Sequence, residues 1–87
     1  MRLKVKVLYF ASVREKLGRD AEVIELPAEV STIAALRSHL RARGGAWAEA
    51  LAESRLLRTA LNQDMAQPAA SIKAGDEVAF FPPVTGG

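Results

Sequence analysis

Two adjacent prolines, Pro82 and Pro83, come directly after the apolar run Val78-Ala79-Phe80-Phe81. Aromatic and β-branched residues suit a pleated surface, so the run reads as a strand. Proline cannot donate to a ladder, so no strand continues through two of them. The last strand must therefore end at about residue 81, and the residues beyond it leave the sheet. They are Pro82-Pro83-Val84-Thr85-Gly86-Gly87, a stiff polyproline-like exit that stops on two glycines. Without a Cβ, Gly86 and Gly87 can pass through a slot that excludes any side chain. Six extended residues reach about 20 Å, at about 3.3 Å each. The chain thus divides into a folded domain, residues 1–81, and a tail, residues 82–87.

The folded part is one domain, since the whole chain has 87 residues. Such a chain buries one core but no deep private cavity. Leu3, Val5, Val7 and Tyr9 alternate with Lys4, Lys6, Leu8 and Phe10, which predicts a first strand over residues 2–10. Its second face begins basic and turns apolar. Ser12 and Glu15 match a capping box, opening a short helix that Gly18 ends. Ala21 to Leu26 reads as a second strand with Val23 or Ile24 inward, closed by Pro27. Ser31 or Thr32 can cap the main helix, predicted to about Arg43. Its Ile33, Leu36 and Leu40 form one apolar stripe, and Gly44-Gly45 stop it. A shorter helix runs from Ala46 to about Glu53, with Trp47, Ala50 and Leu51 on one side. A third strand covers Leu57 to Asn62, then an irregular stretch runs through Pro68. Ser71-Ile72 pair briefly, and Lys73 to Asp76 turn into the last strand, Glu77 to Phe81.

Two strands, a long helix, then more strands is the order of a β-grasp (ubiquitin-like) α+β domain. A mixed sheet there packs one face on the main helix and leaves the other open. With Val78 and Phe80 inward, alternation turns Ala79 and Phe81 outward, and likewise Leu8 and Phe10. The expected result is an exposed apolar patch at the root of the tail, a docking candidate. A Phe that merely extends the core past the sheet edge is the plainer alternative.

Several chemistries are excluded. No cysteine is present, which removes disulfides, thiolate metal sites and a cysteine nucleophile, and suits a cytoplasmic setting. His39 is the single histidine and lacks co-ligands, so no metal site is expected. The first residues alternate charged and apolar types, unlike a signal peptide, and no run is long enough to span a membrane. The net charge of +2 is mild. Arg37, Arg41 and Arg43 with Lys4 and Lys6 read as a solvated face that could steer the chain to an acidic partner. Nucleic acid is not expected. Trp47 reads as helix packing. Asp76-Glu77 reads as turn chemistry, and no Ser/His/Asp set is evident. The remaining candidate is the α-carboxylate of Gly87, with an ordinary pKa of about 3.3–3.7. Ionised, it is a poor electrophile and needs activation, for instance as an acyl-adenylate. The chain has no phosphate-cradling motif, so the activating machinery must lie on a partner. A Gly-Gly end taken alone reads equally well as an idle terminus.

The ending Phe80-Phe81-Pro82-Pro83-Val84-Thr85-Gly86-Gly87, preceded by Gly75-Asp76-Glu77-Val78-Ala79, resembles that of the small, sulfur-carrier subunits of molybdopterin synthase. Leu8-Tyr9-Phe10-Ala11-x-x-Arg14-Glu15, Thr32-Ile33-x-x-Leu36 and Leu61-Asn62-Gln63 resemble the same family in the same order. The likeness covers essentially the whole chain. It implies a protein that serves as sulfur donor rather than a catalyst on its own. The Gly87 carboxylate would be adenylated by an ATP-dependent enzyme of the ubiquitin-activating kind. With a sulfur donor protein it would become a thiocarboxylate. The tail, Pro82 to Gly86, would insert into the large synthase subunit and give sulfur to cyclic pyranopterin monophosphate. No tightly bound cofactor is implied. By the same likeness Phe10, Met65 and Phe81 would lie in the contact with the large subunit, and Arg14 nearby. Met65 stands where that family usually has leucine, a volume-conserving exchange. A ubiquitin-like modifier that joins Gly87 to lysines remains the rival reading. A sulfur carrier for thiamine, cysteine or tRNA thiolation is another.

Overall fold

A computed structural model describes residues 2–83; the expectations for Val84, Thr85, Gly86 and Gly87 lie outside the described residues. The elements in chain order are β1 (Arg2–Tyr9), α1 (Ala11–Leu17), β2 (Ala21–Pro27), α2 (Ile33–Arg41), α3 (Ala46–Ala50), β3 (Arg58–Leu61), β4 (Asp64–Ala66) and β5 (Glu77–Phe81). The strands form one five-stranded sheet in the order β2-β1-β5-β3-β4. β1 and β5 run parallel at its centre, and the other neighbouring pairs are antiparallel. This is the mixed β-grasp sheet.

The alternation in β1 turns Val5, Val7 and Tyr9 into the core. Register then places Ile24 beside Val5 and Leu26 beside Leu3 on the same face. Of the two candidates in β2, Ile24 packs on the core and Val23 is exposed. Val78 and Phe80 enter from β5, as their spacing predicts, and both are fully buried. Ile33, Leu36 and Leu40 of α2 close the core from one side with Ala50 and Leu51. Thr32 is the cap of α2, its hydroxyl accepting from the Ala35 N–H at 3.1 Å. The Arg37 side chain reaches across to the end of α3. Its Nε donates to the Leu51 carbonyl at 2.9 Å, and Nη2 to the carbonyls of Ala52 and Arg55. The carbonyl at the C-cap of α3 thus finds a cation, and the same guanidinium ties down the turn that follows.

Five local expectations are corrected. Ser12 caps nothing: the cap position of α1 is Phe10, with no side-chain bond. The chain enters α1 through Ala11 at φ 52, which places Ser12 inside the helix, two residues past the cap position. α2 ends at Arg41 and α3 at Ala50, both earlier than the periodicity suggests. β3 is likewise trimmed to Arg58–Leu61. The largest miss is β4, which lies in the stretch expected to be irregular. A two-residue turn at Asn62 (φ 50) and Gln63 (φ 73) folds β4 back on β3, pairing Leu61 with Asp64. Positive φ at both central residues is what a type I′ hairpin needs. The short pairing expected at Ser71 is an isolated bridge to Thr32.

Asn62 is held in that turn from outside the hairpin. Its backbone N–H donates to the Glu77 carbonyl at 2.8 Å, and its Oδ1 accepts from the Glu77 N–H at 3.0 Å. Its Nδ2 donates to Asp76 Oδ1 at 3.0 Å, while Asp76 Oδ2 accepts from the Lys73 N–H at 2.9 Å. The start of β5 is therefore tied to the β3–β4 turn. Among the described residues no helix is long and apolar enough to cross a membrane.

Candidate functional site

Because side chains alternate, the residues between the core positions of β1, β5, β3 and β4 share the other face of the sheet. One cross-strand row there runs Leu8, Ala79, Ala60, Met65. The next outward position along β5 is Phe81, opposite Arg58 of β3. Ala79 was expected outward and does point that way. It is nonetheless 7% exposed, because it is a small residue flanked by strands on both sides. Met65 at 61% and Phe10 at 43% are among the most exposed large apolar side chains of the described residues. The open face is thus apolar at the end where the chain leaves the sheet. Towards the other end it carries Lys6 between Val23 and Glu77, and Lys4 beside Glu25.

Phe10 and Phe81 meet at that exit. Phe10 continues the extended path of β1 by one residue (φ −128, ψ 156), and its N–H donates to the Phe80 carbonyl at 3.2 Å. The two rings lie edge to face, 6.5 Å apart with planes at 83°. Aromatic pairs prefer this arrangement, the positive ring edge facing the negative face. Pro82 and Pro83 come next, half-buried and outside any strand. Arg14, exposed on α1, lies four residues beyond Phe10, whose carbonyl accepts from the Arg14 N–H at 3.3 Å. Phe10, Phe81 and Met65 therefore share one face; Arg14 stands on the adjoining helix. Ala60 and Arg58 complete that face and escaped the sequence reading. Their register with β5 was the missing information, since alternation alone does not say which strand lies beside which.

The two ends of β5 have different electrostatics. At its start, Asp76 accepts two N–H bonds in a buried position. The Asn62 amide, ahead of the Lys73 backbone and charge, holds the carboxyl below its ordinary range despite the opposing effect of burial. At the other side of the core, the Tyr9 hydroxyl donates to Glu22 Oε2 at 2.8 Å, and burial with that bond pushes its pKa far up. Glu22 also accepts from Arg43 at 3.0 Å, and the Arg43 guanidinium stacks 4.3 Å from the centre of the Trp47 ring. Trp47 is edge to face with Tyr9 at 5.6 Å. These groups brace α3 against β1 and β2, and Trp47 is a packing residue. Arg43 is bonded within this brace, so it is no free part of a basic patch. His39 sits half-buried on the flank of α2.

A family profile described as the ThiS family matches residues 7–87, nearly the whole chain. The chain belongs to the ThiS family. Within it the chain groups with the molybdopterin synthase sulfur carrier subunits: that of Escherichia coli K12 is 49% identical over 83 residues, covering 95% of this chain and 99% of its relative. Among solved structures, a Pyrococcus furiosus protein assigned as molybdopterin converting factor subunit 1 superposes with a TM-score of 0.76 at 33% identity. That match covers 94% of this chain and 99% of the other. A Helicobacter pylori complex of subunits 1 and 2 of molybdopterin-converting factor matches at a TM-score of 0.59 and 27% identity, over 100% of both chains. The ThiS-family assignment includes the tail, since the matched region runs to residue 87.

Proposed function

We propose that this sulfur-carrier subunit works through the C-terminal carboxylate of Gly87, delivered on residues 82–87 to the large subunit of molybdopterin synthase. The observation that carries the reading is the position of the exit. The central strand β5 ends beside an exposed aromatic pair, Phe10–Phe81, and passes straight into Pro82-Pro83. In the proposed sequence a carboxylate oxygen of Gly87 attacks the α-phosphorus of ATP on an activating enzyme, releasing pyrophosphate. Sulfide equivalent from a donor protein then attacks the acyl carbon, AMP leaves, and a thiocarboxylate remains. The tail presents this sulfur to cyclic pyranopterin monophosphate inside the large subunit. The setting is cytoplasmic.

Delivery of the tail depends on how firmly its root is anchored. Ordering six tail residues costs on the order of 6–12 kcal/mol. Two prolines lessen this by restricting the free chain. Burying Phe10 and Phe81 returns about 1.5–3 kcal/mol each. The remainder must come from the rest of the open face, which is why Leu8, Ala60 and Met65 are assigned to the docking surface and Arg14 to its border. Once docked, the tethered sulfur is at high effective concentration.

The test is incubation with an activating enzyme, ATP and a sulfur source, read by intact mass. Replacement of one carboxylate oxygen by sulfur is expected, and removal of Gly87 should abolish it while leaving fold and docking intact. Lysine conjugates in place of the thiocarboxylate would assign the chain to the modifiers. Molybdopterin synthesis by the truncated chain would overturn the proposal outright.

A further inference from the structure

Between α2 and the β3–β4 hairpin lies a groove of about 490 Å³. Ile33, Leu57 and Pro68 give it an apolar lining, while Arg37, Arg41 and Arg58 also line it against one acidic residue, Glu53. The Arg37 guanidinium is held by three backbone carbonyls and backs the groove as a fixed charge. Arg41 contacts Glu53 at 3.3 Å, but that glutamate side chain is 82% exposed. Such a pair is weak and exchangeable. Two of the four exposed large apolar side chains of the described residues belong to this region. Met65 lines the groove, and Leu56, 77% exposed, is the chain neighbour of the lining residue Leu57.

The edge of the sheet adds a third feature. β4 is an outermost strand. The Leu61–Asp64 pair closes the two-residue turn, so the next pair, Ala60–Met65, is of the kind that does not exchange hydrogen bonds. The Met65 N–H and C=O therefore point away from β3, available to an added strand.

We infer that this groove receives an extended segment of a partner protein in which acidic and apolar residues alternate. Its backbone pairs along β4 at Met65, its carboxylates turn to the α2 side and face Arg41, and its apolar side chains turn to the open face against Met65. Arginine suits such carboxylate contacts. Met65 and Arg58 also belong to the open sheet face, so a protein seated there can run a segment round β4 without a break. Naming that protein as the large synthase subunit rests on the function proposed above; the chemistry of the groove does not.

The probe is a blocked hexapeptide of alternating valine and glutamate, titrated into the full chain at low salt and followed by amide NMR. Saturating shifts at Arg41, Arg58, Met65 and Gln67 are expected, with Phe10 and Phe81 unmoved. Added salt and the Arg41→Glu substitution should each remove them. Arg41→Gln, which keeps the stem, serves if the reversal disturbs the fold. No shifts, equal shifts with a valine–lysine peptide, or binding untouched by both substitutions would overturn the inference. Binding that appears only after residues 84–87 are deleted would give the groove to the chain's own end and equally overturn it. In association with the large subunit, Arg41→Glu should weaken affinity about tenfold. Unchanged affinity there refutes that subunit as the source of the segment. Failure of the intact chain to associate at all, with peptide binding retained, would instead sink the proposed function and leave the groove standing.

Discussion

Removing the Asn62 side chain should loosen the chain at the end of β5 farthest from the tail. Asn62→Gly deletes the bond to Asp76 Oδ1 and the acceptor for the Glu77 N–H, both 3.0 Å, while tolerating φ 50. A hydrogen bond to a charged group contributes about 1.5–3 kcal/mol and a neutral one about 1 kcal/mol. Asn62 is itself exposed, so water replaces part of this, and a loss of about 2 kcal/mol is expected. Asn62→Ala adds the cost of a left-handed backbone, about 1 kcal/mol more. Against a total stability of about 4–13 kcal/mol for a chain of this length, both are large. With a urea slope near 1 kcal/mol/M, the midpoint should fall by roughly 2 M for glycine and 3 M for alanine, with the slope unchanged. The pH dependence checks the mechanism. The folded Asp76 carboxyl titrates below its ordinary 3.8, so its contribution is present above that value and is lost as pH falls through the folded pKa. Its chief cause is the Asn62 amide. The gap between wild type and Asn62→Gly should therefore be full at neutral pH and narrow in strong acid to the roughly 1 kcal/mol of the neutral bond to the Glu77 N–H. Equal stability of the variant at neutral pH, or a gap that does not narrow in acid, would refute the assigned role of the Asn62–Asp76 bond.

Gln63 occupies a left-handed position at φ 73, where glycine suits a type I′ turn better. Gln63→Gly should raise stability by about 1 kcal/mol in thermal unfolding, and a decrease would contradict the turn assignment. Thr32→Ala should cost about 1 kcal/mol through loss of the α2 cap, measured by denaturant unfolding; no change would mean that the cap contributes nothing. A double-mutant cycle of Phe10→Ala and Phe81→Ala should give a coupling of about 0.5–1.5 kcal/mol in stability, from the edge-to-face pair. Additive losses would mean that the rings do not interact.

The legible parts of the fold were those with an internal period. Val5, Val7 and Tyr9 on β1, and Ile33, Leu36 and Leu40 on α2, declare their buried faces by spacing alone. The direction of Phe81 came from the same alternation. What failed depended on contacts distant in sequence. β4 has three residues, too few for any pattern, and its turn reads Asn62-Gln63 without the glycine that would announce it. The left-handed turn is held by Glu77 and Asp76, which approach from the far side of the chain. Ser12 and Glu15 carry the letters of a capping box, but the geometry of entry at Ala11 displaces them from the role. The candidate docking face was half visible: Phe10, Met65 and Phe81 could be named, yet Ala60 and Arg58 joined them only through strand register.

Sequence by itself determined where the sheet must stop, because a proline nitrogen has no hydrogen to give at any temperature or in any fold. It determined equally which faces of β1 and α2 are apolar, since those periods are properties of a single segment. Tertiary structure alone decided that β1 and β5 lie parallel at the centre, so that Phe10 and Phe81 meet where the chain leaves. It also decided that an edge strand and three arginines enclose a groove. Pairing between strands far apart in the chain is set by the shared core, and no local pattern encodes it.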